Sequence, residues 1–214
     1  MPTVMERVQA VRDFRLKSSA IPTRKMAAMP TRFFFESQPA TDYILIPEVS
    51  SERRNYIPIG FVSKEVISAN TNFLIPSADL FLFGVLTSTM HMAWMRQIGG
   101  RLESRYRYIG SLVYNTFPWP DAATPTKRTA VEKAAQRVLD ARAAFPASTL
   151  ADLYDPLTMP PSLAAAHAAL DKAVEKCYRS DPFPSDRARV EYLFALYEHL
   201  TAPLAPTPRT RRRG

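Results

Sequence analysis

Four charged residues at alternate positions carry the most chemistry in the chain: Arg101, Glu103, Arg105 and Arg107, within Gly99-Gly-Arg-Leu-Glu-Ser-Arg-Tyr-Arg-Tyr108. If the segment is extended, the pleat sends alternate side chains to the same side, and all four line one face. A guanidinium can bond guanine O6 and N7 together, and a carboxylate can accept from cytosine N4. Glu103 beside Arg105 therefore has the donor and acceptor pattern to read a G·C pair in a major groove. The same row also fits a solvated strand face on which Glu103 simply pairs with its neighbours, an arrangement worth little energetically. A second group is Ser50-Ser-Glu-Arg-Arg-Asn-Tyr56, whose hydroxyls, arginines and turn amides could clamp phosphates or could only join two strands. The polar turn Asn70-Thr71-Asn72 could touch bases or merely reverse the chain.

Signatures of independent catalysis are missing from the same sequence. A methyltransferase that uses S-adenosylmethionine needs a glycine-containing turn after its first strand, so that the cofactor can approach the backbone. The six glycines, at positions 60, 84, 99, 100, 110 and 214, form no such loop. Asn115-Thr-Phe-Pro-Trp119 only echoes the Asn-Pro-Pro-aromatic motif that holds a flipped base, because it lacks the paired prolines. There is no Gly-Lys-Ser/Thr phosphate loop, no His-Glu-x-x-His and no nuclease carboxylate cluster. One cysteine, Cys177, and three histidines supply neither a disulfide nor zinc-ligand spacing. His91, Met90, Met92 and Trp94 fall in an apolar helical pattern and read as core, and Phe117 and Trp119, set between prolines, read as packing at a junction.

The elements that must position these groups are legible in outline. Val4–Arg32 carries seven basic residues against two acidic ones and reads as a basic helix and loop broken at Pro22 and Pro30. Short β-rich runs follow at Arg32–Glu36, Asp42–Ile46, Tyr56–Val62 and Asn72–Ile75, with Pro58 confined to an edge or a bulge. Ala78–Gln97 is apolar almost all round and predicts one buried helix ended by Gly99-Gly100. Arg101–Tyr114 alternates like a strand pair. Beyond the polar stretch 121–126, helical periodicity covers Lys127–Ala144, Pro161–Arg179 and Ser185–Leu200. The expected fold is α+β: a mixed or antiparallel sheet packed on a buried helix over residues 1–120, then a small all-α helical domain over 121–204. The Pro- and Arg-rich stretch 205–214 reads as a disordered basic tail.

A net charge of +8 and a pI near 9.8 favour polyanionic partners. Charge interrupts the N-terminal segment, so no signal peptide is expected, and the most apolar stretch falls short of a membrane span. A cytoplasmic protein without membrane contact is the expectation.

The strings quoted above at 99–108 and 113–120, with Ser50-Ser-Glu-Arg-Arg-Asn-Tyr-Ile-Pro-Ile-Gly-Phe61 and Leu150-Ala-Asp-Leu-Tyr-Asp-Pro-Leu-Thr-Met-Pro160, resemble the C-terminal half of the MmeI-like DNA methyltransferases. Those enzymes join an endonuclease domain, a helical connector, an adenine-N6 methyltransferase domain, a target recognition domain and a C-terminal helical domain. The resemblance covers only the last two. It implies that residues 1–120 read double-stranded DNA and that the methyltransferase domain belongs to the same parent polypeptide. S-adenosylmethionine would be the parent's cofactor, with none in this chain. It further implies base reading by Glu103 and Arg105 at one pair and by Arg107 and Thr71 at a neighbouring one. Ser50, Ser51, Arg53, Arg54 and Arg101 are the expected contacts to the DNA backbone. The chain would be a fragment, engineered or natural, of a restriction-modification methyltransferase. The competing reading is a protein-interaction scaffold whose basic face is incidental.

Overall fold

The structure is a computed structural model that describes residues 2–34, 36 and 38–202. The stretch expected to be a basic tail lies outside the described residues. Two compact units divide the chain, Met1–Gln38 and Pro39–Gly214.

In the first unit, helix α1 (Pro2–Leu16) leads to the short helix α2 (Ile21–Lys25) and a 3₁₀ turn at Met26–Ala28. No residue of α1 is buried, so burial contributes little to it. Arg15 holds the unit together, donating to the carbonyls of Met26 (3.0 Å), Met29 (2.8 Å) and Arg32 (2.6 Å). The strand expected at Arg32–Glu36 is not there among the described residues: 32–34 and 36 form bends and irregular chain. Arg32 instead pairs with Glu36 four residues on, with its carbonyl taken by Arg15.

The second unit is built on the strand β1 (Tyr43–Pro47), which Glu48 joins to β2 (Val49–Ser50). β1 is the centre of an antiparallel sheet with β3 (Gly60–Val62) and β4 (Asn72–Pro76), in the register Leu45↔Gly60 and Leu45↔Leu74. β2 enters a second antiparallel sheet, on β6 (Arg105–Arg107), whose other neighbour is β5 (Gly100–Leu102). Two small sheets thus replace the single one expected. Tyr56–Ile59 stays outside the strand that was expected from Tyr56, and Pro58 lies in that irregular stretch.

The single helix expected over Ala78–Gln97 is two, α3 (Leu80–Leu86) and α4 (Thr89–Ile98). Between them the Thr87 hydroxyl turns back to the Phe83 carbonyl (2.9 Å), and Ser88 caps α4 by accepting from the His91 amide. The strand pair expected over Arg101–Tyr114 ends at Arg107, and Gly110–Thr116 is the helix α5. The helices α6 (Pro125–Ala143), α8 (Pro161–Tyr178) and α9 (Asp186–Thr201) follow the expected periodicity, and a short α7 (Leu150–Leu153) is closed by a Thr149–Asp152 capping box.

Packing is continuous around residue 120. Ile44, Phe83, Trp94, Val131, Leu170 and Leu193 belong to one buried cluster, so sheet and helices share a core. Gly84 sits where α3 meets α6 and α8, and a Cβ there would lie 2.7 Å from Val131 Cγ1. Only glycine permits so close an approach of the helices.

Candidate nucleic-acid interface

The row of alternate charges becomes a hairpin. β5 and β6 are joined by the two residues Glu103 and Ser104, with Leu102 opposite Arg105, Arg101 opposite Tyr106 and Gly100 opposite Arg107. Residues directly opposite in an antiparallel pair share a face. Arg105 and Arg107 therefore stand on one face with Leu102 and Gly100, and Arg101 stands on the other with Tyr106. This corrects the expectation of four side chains on one face. The turn reverses the chain after Leu102, and with it the parity that a continuous strand would keep. Arg101 lays its guanidinium over the Tyr106 ring, 4.3 Å from the centroid.

Glu103 occupies the hairpin tip with φ 58°, a left-handed backbone that two-residue hairpins favour and that side-chain-bearing residues rarely adopt. From there its carboxylate accepts from Arg105 Nη2 at 2.8 Å. With side-chain exposures of 77% and 45%, this pair is worth at most about 1 kcal/mol and opens readily for another partner. The expected juxtaposition of Glu103 and Arg105 is thus present, in a turn and not along a strand.

The chain at Thr71 and the chain beside Arg107, 36 positions apart, are both bonded to the backbone of one residue, Glu48. The Glu48 amide donates to the Thr71 carbonyl (3.1 Å), and the Glu48 carbonyl accepts from the Tyr108 amide (2.6 Å). The β1–β2 chain thus joins the edge of one sheet to the other and brings both exposed side chains to one region.

The expected phosphate loop divides in two. Ser51 and Arg53 lie at the surface, in a turn closed by the Arg54 amide on the Ser51 carbonyl. Ser50 and Arg54 do not fit the expectation. Ser50 is only 3% exposed, and Arg54 reaches inward to the Ser50 hydroxyl (3.5 Å) and the Ala151 carbonyl (3.4 Å). Arg54 thereby ties the loop to α7, with the Ser50 hydroxyl beneath it.

A buried polar network, missed from the sequence, supports this loop from below. Arg142 donates to the Ile59 carbonyl (2.8 Å) and to the Tyr154 hydroxyl, which lies 2.6 Å from His167 Nε2. Tyr56 stacks on the His167 ring and donates to Asp171 (2.7 Å), whose second oxygen accepts from the Thr89 amide. Burial, with Arg142 nearby, lowers the His167 pKa to about 3, and burial alone does the same to His91. Both imidazoles are neutral at physiological pH and lend the surface no charge. Burial raises the Asp171 pKa. No local pattern marks these partners, because they are up to 115 residues apart.

Gly110, which follows β6 and opens α5, has its open side filled by the Phe73 ring, 2.5 Å from where a Cβ would stand. No group of three or more His, Cys, Asp or Glu among the described residues could hold a metal ion, and no helix among them is long and apolar enough to cross a membrane.

Together, sheets and helices make up an α+β unit that exposes a charged hairpin and a turn carrying Arg53 beside a shared core. The family model of the MmeI target recognition domain matches residues 1–121, and that of the MmeI C-terminal domain matches residues 123–205. The chain belongs to the MmeI target recognition domain family. It is 41% identical over 201 residues to DNA methyltransferase A of Bacillus subtilis (strain 168), a match covering 94% of this chain and 22% of that protein. The Type IIL restriction-modification enzyme MmeI, solved in complex with DNA, superimposes with a TM-score of 0.88 at 53% identity, over 94% of this chain and 27% of that one. The chain therefore spans about a quarter of the length of these relatives.

Proposed function

We propose that this chain is the DNA-reading part of an MmeI-like restriction-modification adenine-N6 methyltransferase, and that it directs modification to a target site without catalysing it. The observation that carries the reading is the exposed tip of the β5–β6 hairpin, where a carboxylate and a guanidinium sit side by side with Arg107 on the same strand as Arg105. Glu103 and Arg105 read one base pair, and Arg107 and Thr71 read its neighbour. Ser51, Arg53 and Arg101 bond the sugar–phosphate backbone, which fixes register without carrying sequence. S-adenosylmethionine and the transferred methyl group belong to a methyltransferase domain of the same parent polypeptide. The division of labour places target reading in residues 1–120 and helical support in 121–204, in a cytoplasmic enzyme.

The test exchanges the pair, Glu103→Lys with Arg105→Asp, and compares the duplexes retained from a randomised library at low salt. The expected result is a changed base at one position with the neighbouring positions kept. An unaltered preference would overturn the assignment. The scaffold alternative predicts no salt-dependent retention of duplex DNA at all.

A further inference from the structure

Arg96, on α4, lies between three elements. Its Nη1 donates to Asp186 at the start of α9 (2.7 Å), its Nε to the Tyr106 hydroxyl on β6 (3.4 Å), and its Nη2 to the Asn55 carbonyl in the loop that carries Arg53 (3.4 Å). All three nitrogens of one planar group are in use, toward the hairpin, the loop and the helical region. Its anchor is itself fixed. Asp186 accepts from Arg189 (2.9 Å), which is bonded in turn to the buried Glu175 (2.6 Å).

Tyr106 lies between Arg105 and Arg107 and points to the opposite face of β6. It is buried, with Arg101 across its ring and Arg96 on its hydroxyl. Whatever holds Tyr106 sets the rotation of β6 about its own axis, and so the direction in which Arg105 and Arg107 leave the far side. We propose that Arg96 is a positioning residue for sequence reading: it ties the base-reading hairpin and the Arg53 loop to the N-terminus of α9, and so fixes the pose in which the arginines meet the bases. The inference rests on the hairpin being the DNA-reading element. Lysine cannot replace Arg96, since a single ammonium head does not reach three acceptors held in a plane.

The experiment ranks the duplexes that the 214-residue chain retains from a randomised library, for wild type, Arg96→Met, Arg96→Lys and Tyr106→Phe. A residue that only supports folding would change how much DNA is bound, in proportion to the folded fraction, and would leave the ranking among bound duplexes intact. A positioning residue changes the ranking. Arg96→Met should flatten base preference at the positions governed by Glu103 and Arg105 by roughly fivefold to tenfold, the scale of one misread base pair, out of proportion to any loss in total binding. Arg96→Lys should fail to restore it, and Tyr106→Phe should flatten it to a smaller degree. An unchanged ranking in folded Arg96→Met overturns the proposal. Should that variant not fold, an unchanged ranking in Tyr106→Phe does so. The Glu103→Lys, Arg105→Asp exchange, run in parallel, separates the two ideas. If the exchange shifts the preferred base and the Arg96 variants do not, only the Arg96 inference fails; if the exchange shifts nothing, hairpin reading fails as well.

Discussion

Glu103 is where stability and recognition should part company. Its φ of 58° costs a residue with a side chain about 1–3 kcal/mol, and glycine adopts the same angle without that cost. Glu103→Gly therefore relieves strain. Against this stand the loss of an exposed ion pair, at most about 1 kcal/mol, and the greater freedom of glycine in the unfolded chain, about 0.4–1 kcal/mol. The balance runs from about 1 kcal/mol less stable to about 2.6 kcal/mol more stable, with its middle near 1 kcal/mol of stabilisation, a Tm rise of about 2–4 °C for a chain of this size. Glu103→Val loses the same carboxylate but forces a β-branched side chain into the left-handed region, and its Tm should fall below wild type. Both should lose discrimination at one base pair, about 1–3 kcal/mol or roughly 5- to 150-fold. Thermal unfolding followed by circular dichroism, with competition binding between matched and mismatched duplexes, checks both halves. A Tm for the glycine variant more than about 4 °C below wild type would refute the strain argument. Full discrimination in either variant would refute the role of the carboxylate.

Arg53→Ala should weaken binding to all duplexes by a similar factor and reduce the slope of log K against log salt by about 0.9 for one lost phosphate contact, with base preference unchanged; titrations at several salt concentrations check it. Acid sensitivity should come from the two buried histidines. Their folded-state pKa values, about 3, lie below the ordinary 6.5, so between those limits the unfolded chain takes up protons that the fold refuses. Stability is then fully present above about pH 7 and falls as pH drops toward 3, by up to about 1.4 kcal/mol per pH unit for each histidine. His91→Gln should remove one histidine's share of that slope in urea unfolding at pH 4.5 and 7. Asp171, whose raised pKa acts in the opposite sense, is common to both proteins and cancels in the comparison.

What was legible in the sequence is what local periodicity encodes. The helices α6 and α8 bury one stripe each, α9 buries Leu193 among half-buried neighbours, and β1 and β4 are short apolar runs bounded by polar turns, so their patterns need no distant partner to be read. The break between α3 and α4 was also written locally, as Thr87-Ser88 ahead of a new helical run, but unbroken apolarity on both sides masked the cap. Strand propensity misled at Arg32–Glu36, where Arg15 claims the backbone, and at Tyr108–Tyr114, where Gly110 lies against Phe73 and the chain turns helical.

The site was legible in its residue types and not in its geometry, and one angle accounts for much of the difference. Nothing in Leu102-Glu-Ser-Arg105 announces a turn, since neither central residue is Gly, Asn or Asp, the usual marks of a two-residue hairpin. A turn there moves Arg101 from the company of Arg105 and Arg107 to the face of Tyr106, and brings the Glu103 carboxylate round to Arg105. A glycine would make the turn more cheaply, but it would carry no carboxylate to the tip. Strain at the tip is held by the neighbours that fix β6: β2 along one edge, Tyr106 against the interior, and Arg96 joining that tyrosine to α9. A change of base preference is therefore best sought at positions 103 and 105 together, with side chains that tolerate φ near 58° at the first of them. Substitutions that free Tyr106 should blur recognition instead of redirecting it.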